Sequence, residues 1–300
     1  MDFEIQFYDT SGNTIASNIG EGTTLIELYR SIETIGKFPE FTAVLYGASV
    51  EDLFGIDDIK IKFSSNLKKY HVSACILTKT FNQADMKLEL KGLFATKEAI
   101  LKSQTQFLGN TVEEAIGSLG FEQKLHLKSN ISSEFHQISE TGLSALMRIC
   151  DCEADIPFWT VGIQDILLSK KDKEEDFLPM TKVTSFTENT NLEYEILQEN
   201  YDEIYYGTKV NTQYNFGNVN NFNALPKGLF NYYMRKLRKP NVVINGTIEG
   251  AFPYDLGTIL KNTDSSWKAI KQFVITSLIN SCVNQDFSYE VQYSYFKNLI

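Results

Sequence analysis

Thirty-eight Asp and Glu in 300 residues make adjacent acids the first place to look for chemistry. Asp57/Asp58, Glu113/Glu114 and Asp151/Glu153 are pairs that could form the acid and the base of a glycosidase, which needs two carboxylates across a cleft. Each pair, however, falls beside a turn, a helix cap or a solvated face, where acids are expected for structural reasons. The three His (His71, His126, His136) and four Cys (Cys75, Cys150, Cys152, Cys282) show no zinc-ligand spacing. On a helix Cys150 and Cys152 would point about 200° apart, since each residue advances roughly 100°. Buried, reduced thiols are the expectation. Phosphate-binding Gly-rich loops, a Gly-x-Ser-x-Gly elbow, His-Glu-x-x-His and an EF-hand loop are all missing from the sequence. We therefore expect no catalytic, cofactor-binding or metal-binding residues, no cofactor and no enzyme activity.

Composition bounds the answer further. Lys and Arg total 28 against 38 acids, a net charge of −10, which disfavours a surface that grips nucleic-acid phosphates. The one basic cluster, Tyr232-Tyr233-Met234-Arg235-Lys236-Leu237-Arg238-Lys239, reads as an exposed face or a contact for an acidic partner. The start of the chain has neither a basic n-region nor an apolar h-region, so no secretory signal is expected. The nearly apolar stretch from Phe273 to Val283 is well short of the roughly 20 residues a membrane-spanning helix needs. No integral membrane segment is expected.

The elements that would position any site are mostly strands. Phe3, Ile5 and Phe7 alternate with polar residues, as do Ile59, Ile61 and Phe63 around Lys60 and Lys62. Val72, Ala74 and Ile76 lead through the turn Asn82-Gln83-Ala84-Asp85 to Met86, Leu88 and Leu90, a hairpin pattern. Thr111-Val112-Glu113-Glu114 is a capping box opening a helix to about Leu119. A second helix is predicted from Glu140 to about Glu153, with Leu143, Leu146, Met147 and Cys150 as its apolar stripe. The mixed-sign run Lys170–Asp176 reads as a solvated loop. Asn211 to Asn223, with six Asn in 13 residues, reads as a long surface loop. Phe273 and Ile275, a turn over Ser281 to Asp286, and the alternation Phe287, Tyr289, Val291, Tyr293, Tyr295 predict a C-terminal hairpin.

The order of these segments carries a resemblance. Tyr70 to Phe94, followed by Phe107-Leu108-Gly109-Asn110-Thr111-Val112-Glu113-Glu114-Ala115-Ile116, resembles the barrel hairpin and Thr-Val-x-x-Ile helix of phage baseplate and tail-tip hub proteins. The N-terminal part of type VI secretion (valine-glycine repeat) spike proteins shares that arrangement. Gln137, Glu140, Thr141, Leu143, Leu146 and Arg148 match the family's strand-to-helix signature, whereas Ile138 stands where Tyr is usual and no Gly follows the helix around Glu153 to Asp155. Lys271 to Leu278 with Phe287 to Phe296 is similar to the hairpin closing the family's second barrel, and Asp255-Leu256-Gly257 to the turn before it.

The resemblance implies a mixed, β-rich α+β fold: two tail-tube-like antiparallel β-barrel domains (1–110 and 181–300) flanking a small helical α/β insert (111–180). It implies a structural hub made as a homotrimer, a ring joining the hexameric tail tube to the central spike. The implied partners are tail tube protein, spike protein and other baseplate proteins, and the implied location is the virion after synthesis in the bacterial cytoplasm. A genome would pass through the lumen without sequence-specific binding, and a spike domain is expected on a separate polypeptide. Two alternatives stay open: the hub of a secretion-type contractile injection system, and a carbohydrate-binding or glycan-cleaving β protein that stacks Trp159 or Trp267 on sugar rings.

Overall fold

A computed structural model describes residues 3–19, 24–47, 50–65, 69–121, 124–125, 132–151, 158–159, 165–167, 174–176, 182–189, 194–199, 203–208, 213–218, 240–249, 254–262, 270–284 and 286–296. Alternating apolar residues make the first seven strands: β1 (Glu4–Tyr8), β2 (Thr14–Ser17), β3 (Thr24–Thr34), β4 (Glu40–Tyr46), β5 (Asp58–Ser64), β6 (Lys69–Asn82) and β7 (Lys87–Leu93). They pair in the order β3-β2-β1-β5-β6-β7-β4, and β4 returns to β3, closing a seven-stranded barrel. All pairs are antiparallel except β2 with β3, which run parallel through Ala16↔Thr24 and Ser17↔Leu25. Ile5, Phe7, Tyr29, Ala43, Leu45, Ile61 and Leu88 are fully buried in its interior. A barrel this narrow is filled by its own side chains. In the β6–β7 turn Asn82 accepts from the Ala84 amide (3.1 Å) and donates to Asp85 (2.6 Å), a self-satisfying turn. Met86, expected in the strand, instead sits in this turn at φ 52° and is exposed.

The middle of the chain holds α1 (Lys97–Leu101), β8 (Gln104–Thr111), α2 (Val112–Ser118), β9 (Lys124–Leu125), β10 (Ser132–Glu140), α3 (Gly142–Asp151), β11 (Phe158–Trp159) and β12 (Asp165–Leu167). The cap forms with its return bond one residue early: Thr111 Oγ1 accepts from the Glu114 amide (3.2 Å), while the Glu114 carboxylate accepts from the Asn110 amide (2.8 Å) rather than from that of Thr111. The second helix starts later than predicted, at Gly142, because Glu140 still belongs to β10 and Thr141 caps the helix by accepting from Ser144 (3.2 Å). Its stripe is also rotated. Ala145, Leu146 and Ile149 are fully buried, Leu143 and Met147 only partly, and the Cys150 side chain lies outside the described residues. These residues pack with Ala99, Ile100, Val112, Ala115, Ile116 and Phe135 in a core of their own.

The last part comprises β13 (Glu174–Asp176), β14 (Lys182–Glu188), β15 (Tyr194–Glu199), β16 (Glu203–Thr208), β17 (Gln213–Asn218), β18 (Val242–Glu249), β19 (Ile259–Lys261), β20 (Gln272–Val283) and β21 (Asp286–Tyr295). Three loop expectations are corrected here. Glu174–Asp176, inside the charged run, pairs in parallel with Ile259–Lys261; charged residues suit a short edge strand. Within the Asn-rich stretch, Gln213–Asn218 pairs with β16 in a three-stranded meander, because Tyr214 and Phe216 keep a period of two that outweighs the Asn preference for turns. The C-terminal hairpin forms, but its turn is tighter than expected: pairing runs to Val283↔Asp286, with Asn284 at φ 46°.

This second set of strands repeats the first. Sheet order β14-β18-β21-β20-β19-β13 follows β3-β4-β7-β6-β5-β1 position for position, and chain order agrees as well. Local irregularities repeat too. The β6–β7 ladder slips by one residue between Ile76 and Thr78, and the β20–β21 ladder slips between Ile275 and Ser277. The Asp57 carbonyl accepts from the Ile76 amide (2.7 Å), and the Thr258 carbonyl from the Ile275 amide (3.0 Å). A β-bulge bends its strand and is kept as a designed feature, so the same bulge at the same place marks one architecture used twice. Two differences stand: β13 runs parallel to β19 where β1 runs antiparallel to β5, and β2 has no counterpart among the described residues. The fold is β-rich α+β, a closed barrel and its repeat around a helical middle.

Candidate assembly interface

The acids singled out by the sequence are engaged locally. Asp57 bridges Lys97 (2.6 Å) and Lys79 (3.3 Å), and hydrogen bonds from Lys97 and then Lys79 hold its carboxyl below the ordinary range. Asp58 accepts from the Lys97 amide (2.7 Å) at the start of α1. Glu114 is used in the cap of α2, on a different element. The Asp151 side chain and Glu153 lie outside the described residues, as do His126, Cys152, Trp267, the side chain of Trp159 in β11, and the basic cluster 232–239. Cys75 and Cys282 are buried, and desolvation, with Asp58 next, pushes the Cys75 thiol up to about 11. His71 packs against Tyr8 and His136 against Phe107.

Gln137, Glu140 and Arg148 build a polar latch. Gln137 is fully buried; its Nε2 donates to the carbonyls of Lys102 and Glu140 (both 2.8 Å) and its Oε1 accepts from Gln106 (3.2 Å). Arg148, on α3, donates to Glu140 (2.6 Å) and to the His136 carbonyl. Glu140, Gln137 and Arg148 thus tie β10, β8, the end of α1 and α3 together.

The arrangement with most to say about function is the joint between the two halves. Leu28–Thr34 of β3 pairs antiparallel with Ser277–Val283 of β20, making one sheet of 13 strands from both units. β19 pairs with β20 only as far as Val274, and β3 takes over the same side from Ser277. Across the joint Arg30 bridges Glu290 (2.8 Å) and Thr34 meets Ser277 (3.2 Å). Phe287, at the end of the hairpin, stacks on Phe3 (5.5 Å) and Phe63 (5.6 Å) at the mouth of the first barrel. Burial of one such ring stabilises the joint by about 2 kcal/mol.

Two of the edges that stay open among the described residues lie beside the joint's own kind of strand. β14 pairs only with β18, and all seven of its residues are exposed, Val183 and Phe186 among them. On β6, pairing with β5 ends at Cys75, so the same side of Thr78–Asn82 has no strand against it. Edges of this length are templates for pairing with another chain. No sequence signal marked β14 in advance, although Val183-Thr184-Ser185-Phe186-Thr187 is rich in β-branched and aromatic residues.

No family profile and no curated protein matches the sequence. Solved structures do match the fold. A 43 kDa tail protein of prophage MuSo2 from Shewanella oneidensis aligns at TM-score 0.62 and 10% identity, covering 97% of this chain and 98% of that one. An Escherichia coli component of the type VI secretion system, described as structurally similar to the T4 bacteriophage tail proteins gp27 and gp5, aligns at TM-score 0.58 and 12% identity, covering 92% of this chain and 74% of that one. A tail protein from Neisseria meningitidis aligns at TM-score 0.56 and 11% identity, covering 100% and 98%. The fold is that of phage tail proteins, in agreement with the resemblance to baseplate and tail-tip hubs carried by Thr111–Ile116, Gln137–Arg148 and the C-terminal hairpin.

Proposed function

We propose that this chain is a structural, non-enzymatic hub of a phage tail or baseplate. Three copies form a ring that joins the hexameric tail tube to the central spike, within the virion. One observation carries this reading: a barrel and its repeat are already joined edge to edge inside one chain, with open edges left for continuing the join. Three such chains would present six similar units, matching a six-fold tube on one side and a three-fold spike on the other. The proposed division is a first barrel over 1–110, a helical insert over 111–180 and a second barrel over 181–300, supported in outline by three hydrophobic cores, of which the middle one also takes in Ala95 to Leu108. Tail-protein folds among its structural neighbours support tail tube, spike and other baseplate proteins as partners.

The net charge of −10 suits a lumen through which a genome passes, since carboxylates on the wall repel phosphates and prevent sticking. No helix among the described residues is long and apolar enough to cross a membrane. A hub in a secretion-type injection machine would use the same ring.

Light scattering on the purified chain tests the proposal. The expected mass is three times the 34.1 kDa chain. A persistent monomer that cleaves glycan, and loses that activity when a carboxylate is neutralised, would overturn it.

A further inference from the structure

The repeat inside the chain predicts which edges meet between chains. Aligning the shared bulges makes Ile76 and Thr78 equivalent to Ile275 and Ser277, and Gly92 to Tyr293. Gly92 pairs with Phe41 and Tyr293 with Ile244, so Phe41 and Ile244 correspond. Their partners on the next strand, Ser31 and Phe186, correspond in turn. Strand β3 of the first unit is therefore β14 of the second, and β20 of the second unit is β6 of the first.

Inside the chain, β3 pairs with β20. Among the described residues β14 and the Thr78–Asn82 part of β6 each have an open side, and they are the equivalents of that same pair. The joint is head to tail, because it uses two different edges of one architecture. Such a contact repeats wherever both edges are available.

We infer that β14 of one copy pairs antiparallel with the Thr78–Asn82 segment of β6 in a second copy, in the register of the internal joint. That register carries over as Glu188 opposite Lys79, Thr187 opposite Thr80, Phe186 opposite Phe81 and Ser185 opposite Asn82, from Glu33↔Leu278, Ile32↔Ile279, Ser31↔Asn280 and Arg30↔Ser281. Facing directions agree. Leu278 and Asn280 are buried and Ile279 is less so; Lys79 and Phe81 are half-buried and Thr80 is exposed. The register places a carboxylate against an ammonium and a ring against a ring, both favourable cross-strand pairs. Asp57 keeps Lys97 when Lys79 turns to Glu188 and gives up the Phe54 carbonyl (3.0 Å), and Phe81, which meets Phe54 edge-on at 6.1 Å, offers its other side to Phe186.

The inference deepens the ring proposal and relies on it only for the number of copies. Its test is disulfide trapping in the full-length chain, with Cys150 and Cys152 replaced by Ser. One variant carries Thr187→Cys and Thr80→Cys together in the same chain, both at exposed positions, and is oxidised. Phe186→Cys with Phe81→Cys in one chain is a second pair in the same register, and Thr187→Cys with Phe81→Cys in one chain is the one-residue slip. Directly opposed residues on one face have Cβ atoms close enough to bridge, whereas a slip by one places them on opposite faces. The expected result is that both in-register pairs convert most of the protein to a linked band and the slipped pair does not. A trimer by light scattering in which neither in-register pair links would overturn the joint and leave the ring. Linked species growing beyond three chains would support the joint and contradict the trimer. Monomers with no linkage would overturn both.

Discussion

Replacing Gly92 with Ala is expected to cost more than about 3 kcal/mol, enough to leave the first barrel unfolded or insoluble. A Cβ at this position would lie 2.1 Å from the Cys75 carbonyl oxygen and 2.5 Å from the Phe41 ring. The carbonyl belongs to β6 at the bulge, and Phe41 is 1% exposed, so neither can retreat. The repeat explains why a glycine is needed here. Gly92 pairs across the ladder with Phe41, and the equivalent pair in the second unit is Tyr293 with Ile244. One large and one smaller side chain share the space in each unit, with the large one on opposite strands. Urea denaturation of the variant checks this; a midpoint equal to that of the parent chain would contradict the packing described.

Arg148→Ala is expected to destabilise by about 2–3 kcal/mol, because it leaves a half-buried Glu140 without its partner and the His136 carbonyl without a donor. The loss should be local. Hydrogen exchange is expected to speed up in α3 and β10, while the barrel amides of β1 and β5 stay protected. In a double-mutant cycle with Glu140→Gln, the two substitutions should cost less together than the sum of each alone. Full additivity, or equal loosening of the barrel, would show that the latch does not hold the middle of the chain together.

The strands whose faces alternate cleanly, such as Phe3–Phe7, Ile59–Phe63 and Phe287–Tyr295, were legible in the sequence because one side packs and the other meets water. The capping box at Thr111 was legible for a similarly local reason. β14 and β17 were not, since an edge strand buries little and therefore shows weak hydrophobic patterning. The predicted start of α3 is two residues early because Glu140 and Thr141 read as helix formers and caps, while the β10–β8 pairing that claims Glu140 is long-range. The assembly interface was legible only as a class, edge strands of both units. Its location depends on matching bulges at Ile76 and Ile275, which no local pattern announces.

The most direct test of a duplicated barrel multiplied into an annulus is electron microscopy of the purified chain at concentrations where light scattering finds the assembly. Class averages viewed down the axis are expected to show a three-fold ring with six lobes of similar size around an open centre. Averages showing a two-fold particle, or a ring whose lobes number three and have no paired substructure, would contradict the account.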